Sequence, residues 1–238
     1  MDMDPGLAAL RPLGGFFVLH TGAPPRAGLP TLARAYAPGG AAAPYGYPDP
    51  LDFRVRKVAR ALGVREDRVA ASLAHQGLAA RLWSVALGAA ALYGQVPDLD
   101  PRLLRWDPDG SAPDDLWLDE VRPLPSGALD AVVREAHLVP LTAALAARHR
   151  VSARLLWGNA GAALASSVRM IGQWARTGGS AEAAERARAL AADRFTHPDL
   201  AGTVDPGTGR RSSCCLYYRV PGGGLCGDCC FDRPPGRG

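Results

Sequence analysis

EDRVAASLAHQGLAARLWSVALGAAALY, from Glu66 to Tyr93, is the segment on which the reading of the fold turns. Val69, Leu73, Leu82, Val85, Ala86 and Leu92 mark an apolar side, and beyond Arg81 almost every residue is apolar. A helix that is apolar all round is a buried one, so this stretch predicts a long central helix. Before it, Val55, Val58, Ala59 and Leu62 recur at spacings of three and four, with Gly63 as a natural stop, which predicts a helix from Phe53. After it, Pro97 is expected to end the long helix, and Asp107-Pro108-Asp109-Gly110 is a turn signature. It predicts a β-hairpin with strands near 102–106 and 115–122. Leu129 to Ala147 reads as helical, with Pro140 expected to kink or break it. Ser152 is the expected N-cap of a helix from Ala153 to about Thr177, and Gly178-Gly179-Ser180 starts another to about Phe195. Residues 1–50 are rich in turn formers; Phe16-Phe17-Val18-Leu19 is a candidate strand and Ala37 to Pro50 a loop. The expected fold class is mainly α with minor β hairpins (α+β), a helical body over 1–205 and a small cysteine-rich segment over 206–238.

Composition bounds what such a chain does. It has 238 residues, 47% hydrophobic and 21% charged, which suits a globular protein with a real core. With 28 glycines and 21 prolines it is turn-rich but not a low-complexity chain. Its net charge of +4 and its single lysine, Lys57, argue against nucleic acid as a partner. The most apolar stretch, Val85 to Val96, is shorter than the ~18 residues a spanning helix needs, so no membrane span is expected. The opening residues Met1 to Pro5 lack the basic start of a secretory signal, and the expected location is cytoplasmic.

The five cysteines, Cys214, Cys215, Cys226, Cys229 and Cys230, all lie in the last part of the chain. An odd number, clustered locally, does not suit a disulfide framework, which would close long loops across the fold. It suits a metal or cluster site, where several thiolates converge within a few ångströms. Cys226 and Cys229 form a C-x2-C pair that zinc and iron–sulfur sites share. Cys214 and Cys215 are adjacent, and adjacent side chains in extended backbone point to opposite faces. They converge only through a local turn or by serving two different metal atoms. A two-iron cluster offers the second arrangement, so the spacing favours iron–sulfur and leaves zinc open.

Arg211 to Arg219, with Pro221 to Cys229 after it, resembles the C-terminus of the FhuF family, iron–sulfur ferric siderophore reductases with the pattern C-C-x10-C-x2-C. The match needs no insertion or deletion, and Leu155 to Ala160 with the chain length adds to it. The resemblance implies a 2Fe–2S cluster on Cys214, Cys215, Cys226 and Cys229 as redox centre. Cys230 is an extra thiol, and the C-x2-C geometry favours Cys229 over it. The resemblance also implies a ferric siderophore, hydroxamate in type, as substrate, with Trp157 and Asn159 beside its pocket. The residues themselves read differently: Trp157 on a helix is a core candidate, and Asn159 needs a polar partner if buried.

The surroundings suit a cluster. Gly222, Gly223, Gly224 and Gly227 allow close backbone approach, or are plain turn residues. Leu216 to Val220 is a β-prone run expected to dock the loop on the body. Arg210, Arg211, Arg219, Arg233 and Arg237 outnumber Asp228 and Asp232, and would favour the reduced form of an anionic cluster, or form a solvated tail. His20, His75, His137, His149 and His197 form no metal-binding pair. No G-x-S-x-G, P-loop or G-x-G-x-x-G is present, so electrons are expected from an external donor such as a ferredoxin or a flavin/NAD(P)H reductase. The expected function is ferric-siderophore reduction, an oxidoreductase activity releasing Fe(II). The alternatives are a zinc-stabilised binding module and an iron–sulfur electron carrier without a siderophore substrate.

Overall fold

Helix α3, Asp67–Tyr93, is the axis on which the rest is assembled. Its 27 residues span about 40 Å. Alanines on every side let neighbours approach closely, and buried residues run around its whole circumference from Leu78 onward. The computed structural model describes residues 2–37 and 47–236. The loop expected across Ala37 to Pro50 therefore falls mostly outside the described residues, as does Arg237. The chain is 53% helical with a few short strands in two small sheets, so mainly α with minor β.

Helix α1 is short, Leu32–Tyr36, and α2 runs Pro50–Leu62. α2 begins earlier than the apolar spacing from Phe53 suggests, because Asp49 caps it by accepting from the Asp52 N–H and Pro50 fits the first turn. Gly63 at φ 62° and Gly94 at φ 72° end α2 and α3 in left-handed conformations. The long helix thus stops at Gly94, ahead of Pro97, which instead closes strand β2 (Gln95–Pro97).

The expected strand at 16–19 does not form. Residues Ala8–Leu13 and Gly15–Phe17 are 3₁₀ turns, and strand β1 is His20–Thr21. The cause lies in α3: Arg81, 1% exposed, donates to the carbonyls of Gly15 (3.1 Å) and Val18 (2.6 Å) and to Asp115 Oδ1 (2.8 Å). Carbonyls turned inward to a guanidinium are not available to a sheet ladder.

The predicted hairpin is present as β3 (Leu104–Trp106) and β4 (Leu116–Leu118), antiparallel with Trp106 opposite Leu116. Asp107 makes its turn by accepting from the N–H groups of Gly110 and Asp109. β1 joins β4 in parallel, giving the order β1-β4-β3, while β5 (Pro123–Pro125) pairs with β2.

Pro140 does mark a break, with an unforeseen form. Ala131–Leu138 is a π-helix, and α4 (Val139–His149) carries Pro140 in its first turn. Proline has no N–H and crowds the carbonyl one turn earlier, and the wider π turn makes room. α5 (Ala153–Arg176) and α6 (Ala181–Arg194) lie where expected. Ser180 caps α6 through its hydroxyl; Ser152 stands at the N-cap of α5 but makes no side-chain capping bond. α2, α4, α5 and α6 all pack on α3. Among the described residues no helix is long and apolar enough to cross a membrane.

Two buried histidines brace this core. His137 Nε2–H donates to the Leu99 carbonyl (2.6 Å), leaving Nδ1 to accept from the Tyr36 hydroxyl (2.8 Å). His75 Nε2 meets Thr142 Oγ1 at 3.3 Å. Burial pushes His137 down to about 4 and His75 to about 3, the latter aided by the Arg211 charge. Both rings stay neutral when folded and take a proton only on unfolding below about 6.5, so their stabilisation is complete above that pH and falls as pH drops toward 4. Unfolding free energy at pH 5 is expected to lie about 2–4 kcal/mol below that at pH 7. Denaturant titration at both pH values checks this, and His137→Gln should flatten the slope.

Candidate metal centre

The thiol-bearing tail is laid down by a chain of local turns. Asp205 accepts from the N–H of Thr208 (2.7 Å) and Gly207 (3.1 Å), folding 205–210 back so that Val204 bridges Arg211. The Arg211 N–H then donates to the Asp228 carbonyl at 2.9 Å, which sets the first cysteine pair beside the second. A turn closed by Cys229 N–H to the Cys226 carbonyl (3.1 Å) brings the C-x2-C residues together. Leu216 to Val220 is not a strand: Leu216 is left-handed at φ 69° and Tyr217–Arg219 is a 3₁₀ turn. The reversal follows directly on the adjacent cysteines and lets Gly223 approach so closely that a Cβ there would lie 2.6 Å from the Tyr217 carbonyl oxygen.

Cys215 Sγ lies 3.5 Å from Cys226 Sγ, and Cys214 feels the thiols of Cys215, Cys230 and Cys229. All five cysteines are free. Among the described residues, no group of three or more His, Cys, Asp or Glu side chains is placed to hold a metal ion. Backbone N–H groups aim at two of the sulfurs, Leu216 at Cys214 (3.2 Å) and Phe231 at Cys229 (3.4 Å). Burial pushes Cys214 up to about 11, against the lowering effect of the Leu216 N–H, and raises Cys226, where the Cys215 thiol adds to it. Cys230 is raised by burial and by Cys229. Such thiols are poor anions unless a positive centre sits among them.

The tail is footed on the body at three places. Ser72 of α3 donates to the Cys215 carbonyl (2.8 Å), and Arg219 pairs with Glu66 (2.7 Å). The third is Arg211, 2% exposed, whose Nη2 donates to Asn159 Oδ1 (2.7 Å) and the Gly158 carbonyl (3.1 Å) of α5. Gly158 is required there, since a Cβ would fall 1.9 Å from Ser213 Oγ. Arg211 Nε and Nη1 make no hydrogen bond, nor does Ser213 Oγ, and the nearest carboxylate oxygen paired with the guanidinium is Asp228 Oδ2 at 3.7 Å. A buried cation so thinly partnered, with N–H groups on the sulfurs, fits an anionic four-thiolate cluster.

Asn159, expected beside a ligand, is wholly buried with both ends of its amide engaged, its Nδ2 donating to the Ser72 carbonyl (2.9 Å) and hydroxyl (3.0 Å). It belongs to the joint between α3, α5 and the tail. Trp157 is half-buried and packs on the core. Arg211 and Ser72 escaped individual notice in the sequence; a lone Ser among alanines and an Arg three residues before a Cys pair were the available signals. On the outer side Tyr217 is 37% exposed, Tyr218 meets Phe231 edge-on at 6.0 Å, and Arg219 lies over the Tyr218 ring at 5.5 Å. A separate cleft of about 640 Å³ beside Tyr36, Asp98, Arg102 and Val132 is lined by no cysteine.

Residues 211–231 match the family model of the FhuF 2Fe-2S C-terminal domain, a domain that binds a 2Fe–2S cluster. No curated protein matches the chain.

Proposed function

We propose, from the premise that residues 211–231 are an FhuF-type 2Fe–2S segment, that the protein is a cytoplasmic ferric-siderophore reductase. The observation that carries this reading is the buried Arg211 guanidinium, together with the Leu216 and Phe231 N–H groups on the sulfurs of Cys214 and Cys229. A cluster held by four thiolates is anionic, and a buried cation with amide donors on the sulfurs suits it.

When bound, the cluster supplies a carrier for single electrons. Cys214, Cys215, Cys226 and Cys229 would hold it as thiolates, with the Leu216 and Phe231 N–H groups on the sulfurs of Cys214 and Cys229. The body over 1–205 anchors the segment over 206–238 through Ser72, Glu66 and Asn159. An outside donor, a ferredoxin or a flavin/NAD(P)H reductase, gives up one electron. Fe(III) held in a hydroxamate siderophore gains it and becomes Fe(II), which hard oxygen donors bind less tightly, so the metal leaves. Tyr217, Tyr218, Phe231 and Arg219 offer the chelate an aromatic, cationic face beside the thiols. Trp157, next to Gly158 on α5, is the body residue proposed beside the chelate, whereas Asn159 acts on the tail.

The test is a stoichiometric one. Protein reduced anaerobically and freed of reductant is mixed with ferric desferrioxamine and an Fe(II)-trapping chelator. Cluster absorbance should return in step with trapped Fe(II), one per cluster. A cluster that stays reduced would leave an electron carrier without this substrate, and colourless, zinc-loaded protein would leave the binding module.

A further inference from the structure

We infer that Arg211 is a buried positioning residue that sets the reduction potential of the thiol-held centre, with Asn159 as its anchor and Asp228 as its partial counter-charge; the inference rests on the 2Fe–2S reading. The tail's arginines are not equivalent. Arg210 pairs with Asp232 (2.6 Å) and Arg219 with Glu66 (2.7 Å), all partly in water, and Arg233 is exposed. Water and salt screen such charges. The Arg211 side chain is wholly buried, so its field passes through protein and acts at far greater strength.

Its position is fixed from both sides. Asn159 Oδ1 and the Gly158 carbonyl hold Nη2, and the Arg211 N–H is bound to the carbonyl of Asp228, within the C-x2-C turn. Asn159 is itself locked by two bonds to Ser72, whose hydroxyl donates to the Cys215 carbonyl. The guanidinium therefore cannot swing to solvent, and Nε and Nη1 are buried without hydrogen-bond partners. Asp228 offsets only part of the charge: its oxygen stands 3.7 Å from Nε and its side chain is 20% exposed. Reduction adds one negative charge to a centre held by four thiolates, and a fixed buried cation favours that state.

Redox titration of the whole protein, followed by its visible spectrum, tests this in point variants. Arg211→Met should lower the reduced-to-oxidised ratio at fixed ambient potential about tenfold, or about 59 mV for one electron. Arg211→Lys, which keeps the charge, should restore most of it. Asp228→Asn, which also removes a carboxylate partner of the Cys226 thiol, should move the ratio the opposite way. If Arg211→Met fails to assemble a cluster, Arg211→Gln, which is uncharged but keeps an N–H donor for Asn159, decides: a potential below that of the lysine variant supports the inference. Unmoved potentials in coloured, iron-loaded variants, or a lysine variant as low as methionine, overturn it while the cluster reading stands. A wild-type protein without iron and sulfide overturns both.

Discussion

Cys226→Ser protein is expected to come off an anaerobic column without visible colour and without acid-labile sulfide. Cys226 shares a 3.5 Å contact with Cys215 Sγ and begins the turn that carries Cys229, so the substitution would remove one of the four proposed thiolate ligands. Serine is nearly isosteric, but its hydroxyl is a far weaker anion than a thiolate at neutral pH and suits soft metals poorly. Cys214→Ser and Cys215→Ser should behave alike, each removing one proposed ligand sulfur. Cys229→Ser should also lose the cluster, because the Cys229 sulfur is buried and fixed by the Phe231 N–H, while Cys230→Ser should keep it. Iron and sulfide analysis beside the visible spectrum reads all five. Colour surviving in Cys229→Ser and vanishing in Cys230→Ser would reassign the fourth ligand.

Arg81→Met should be the most destabilising single change in the body. Arg81 donates to Asp115 Oδ1 and to carbonyls of Gly15, Val18 and Pro113, all at distances of 2.6–3.3 Å. Removing it leaves a carboxylate 3% exposed and several inward carbonyls without a donor. Breaking a buried pair from one side costs about 3–5 kcal/mol, and for a chain this long that lowers Tm by roughly 10 °C. Ser72, the tail's foothold, lies nine residues away on α3, about 13 Å along the axis. Iron content per folded molecule should therefore stay at the wild-type level while the melting temperature falls. A joint loss of both would make the N-terminal turns and the thiol tail one cooperative unit.

These two sites differ in how far they could be read in advance. The cysteine pattern needs no fold to be noticed, because metal-binding thiols cluster in sequence when a short loop supplies them all. The hub at Arg81 is a different case. Its partners at Gly15, Val18, Pro113 and Asp115 are carbonyls and one carboxylate drawn from two separate stretches, and carbonyls leave no mark in composition. For the same reason the Phe16 to Leu19 run looked like a strand, yet turned its carbonyls inward. The β-prone run after Cys215 failed likewise, since local propensity gave way to the tight reversal that the neighbouring thiol pair imposes. Pro140 foretold a disruption; that it became a π turn depended on packing.

Long helices with strong apolar patterning were legible from the residues alone, because α3 must be buried wherever it goes and Gly63 and Ser180 stop or cap their helices through local backbone chemistry. So was the presence of a thiol centre at the end of the chain. Only the assembled molecule decided which thiol faces which, and that Asn159 grips Arg211 in place of a ligand. The contact of Asn159 with Arg211 joins residues 52 positions apart, and its strength comes from the exclusion of water, a property no local stretch possesses.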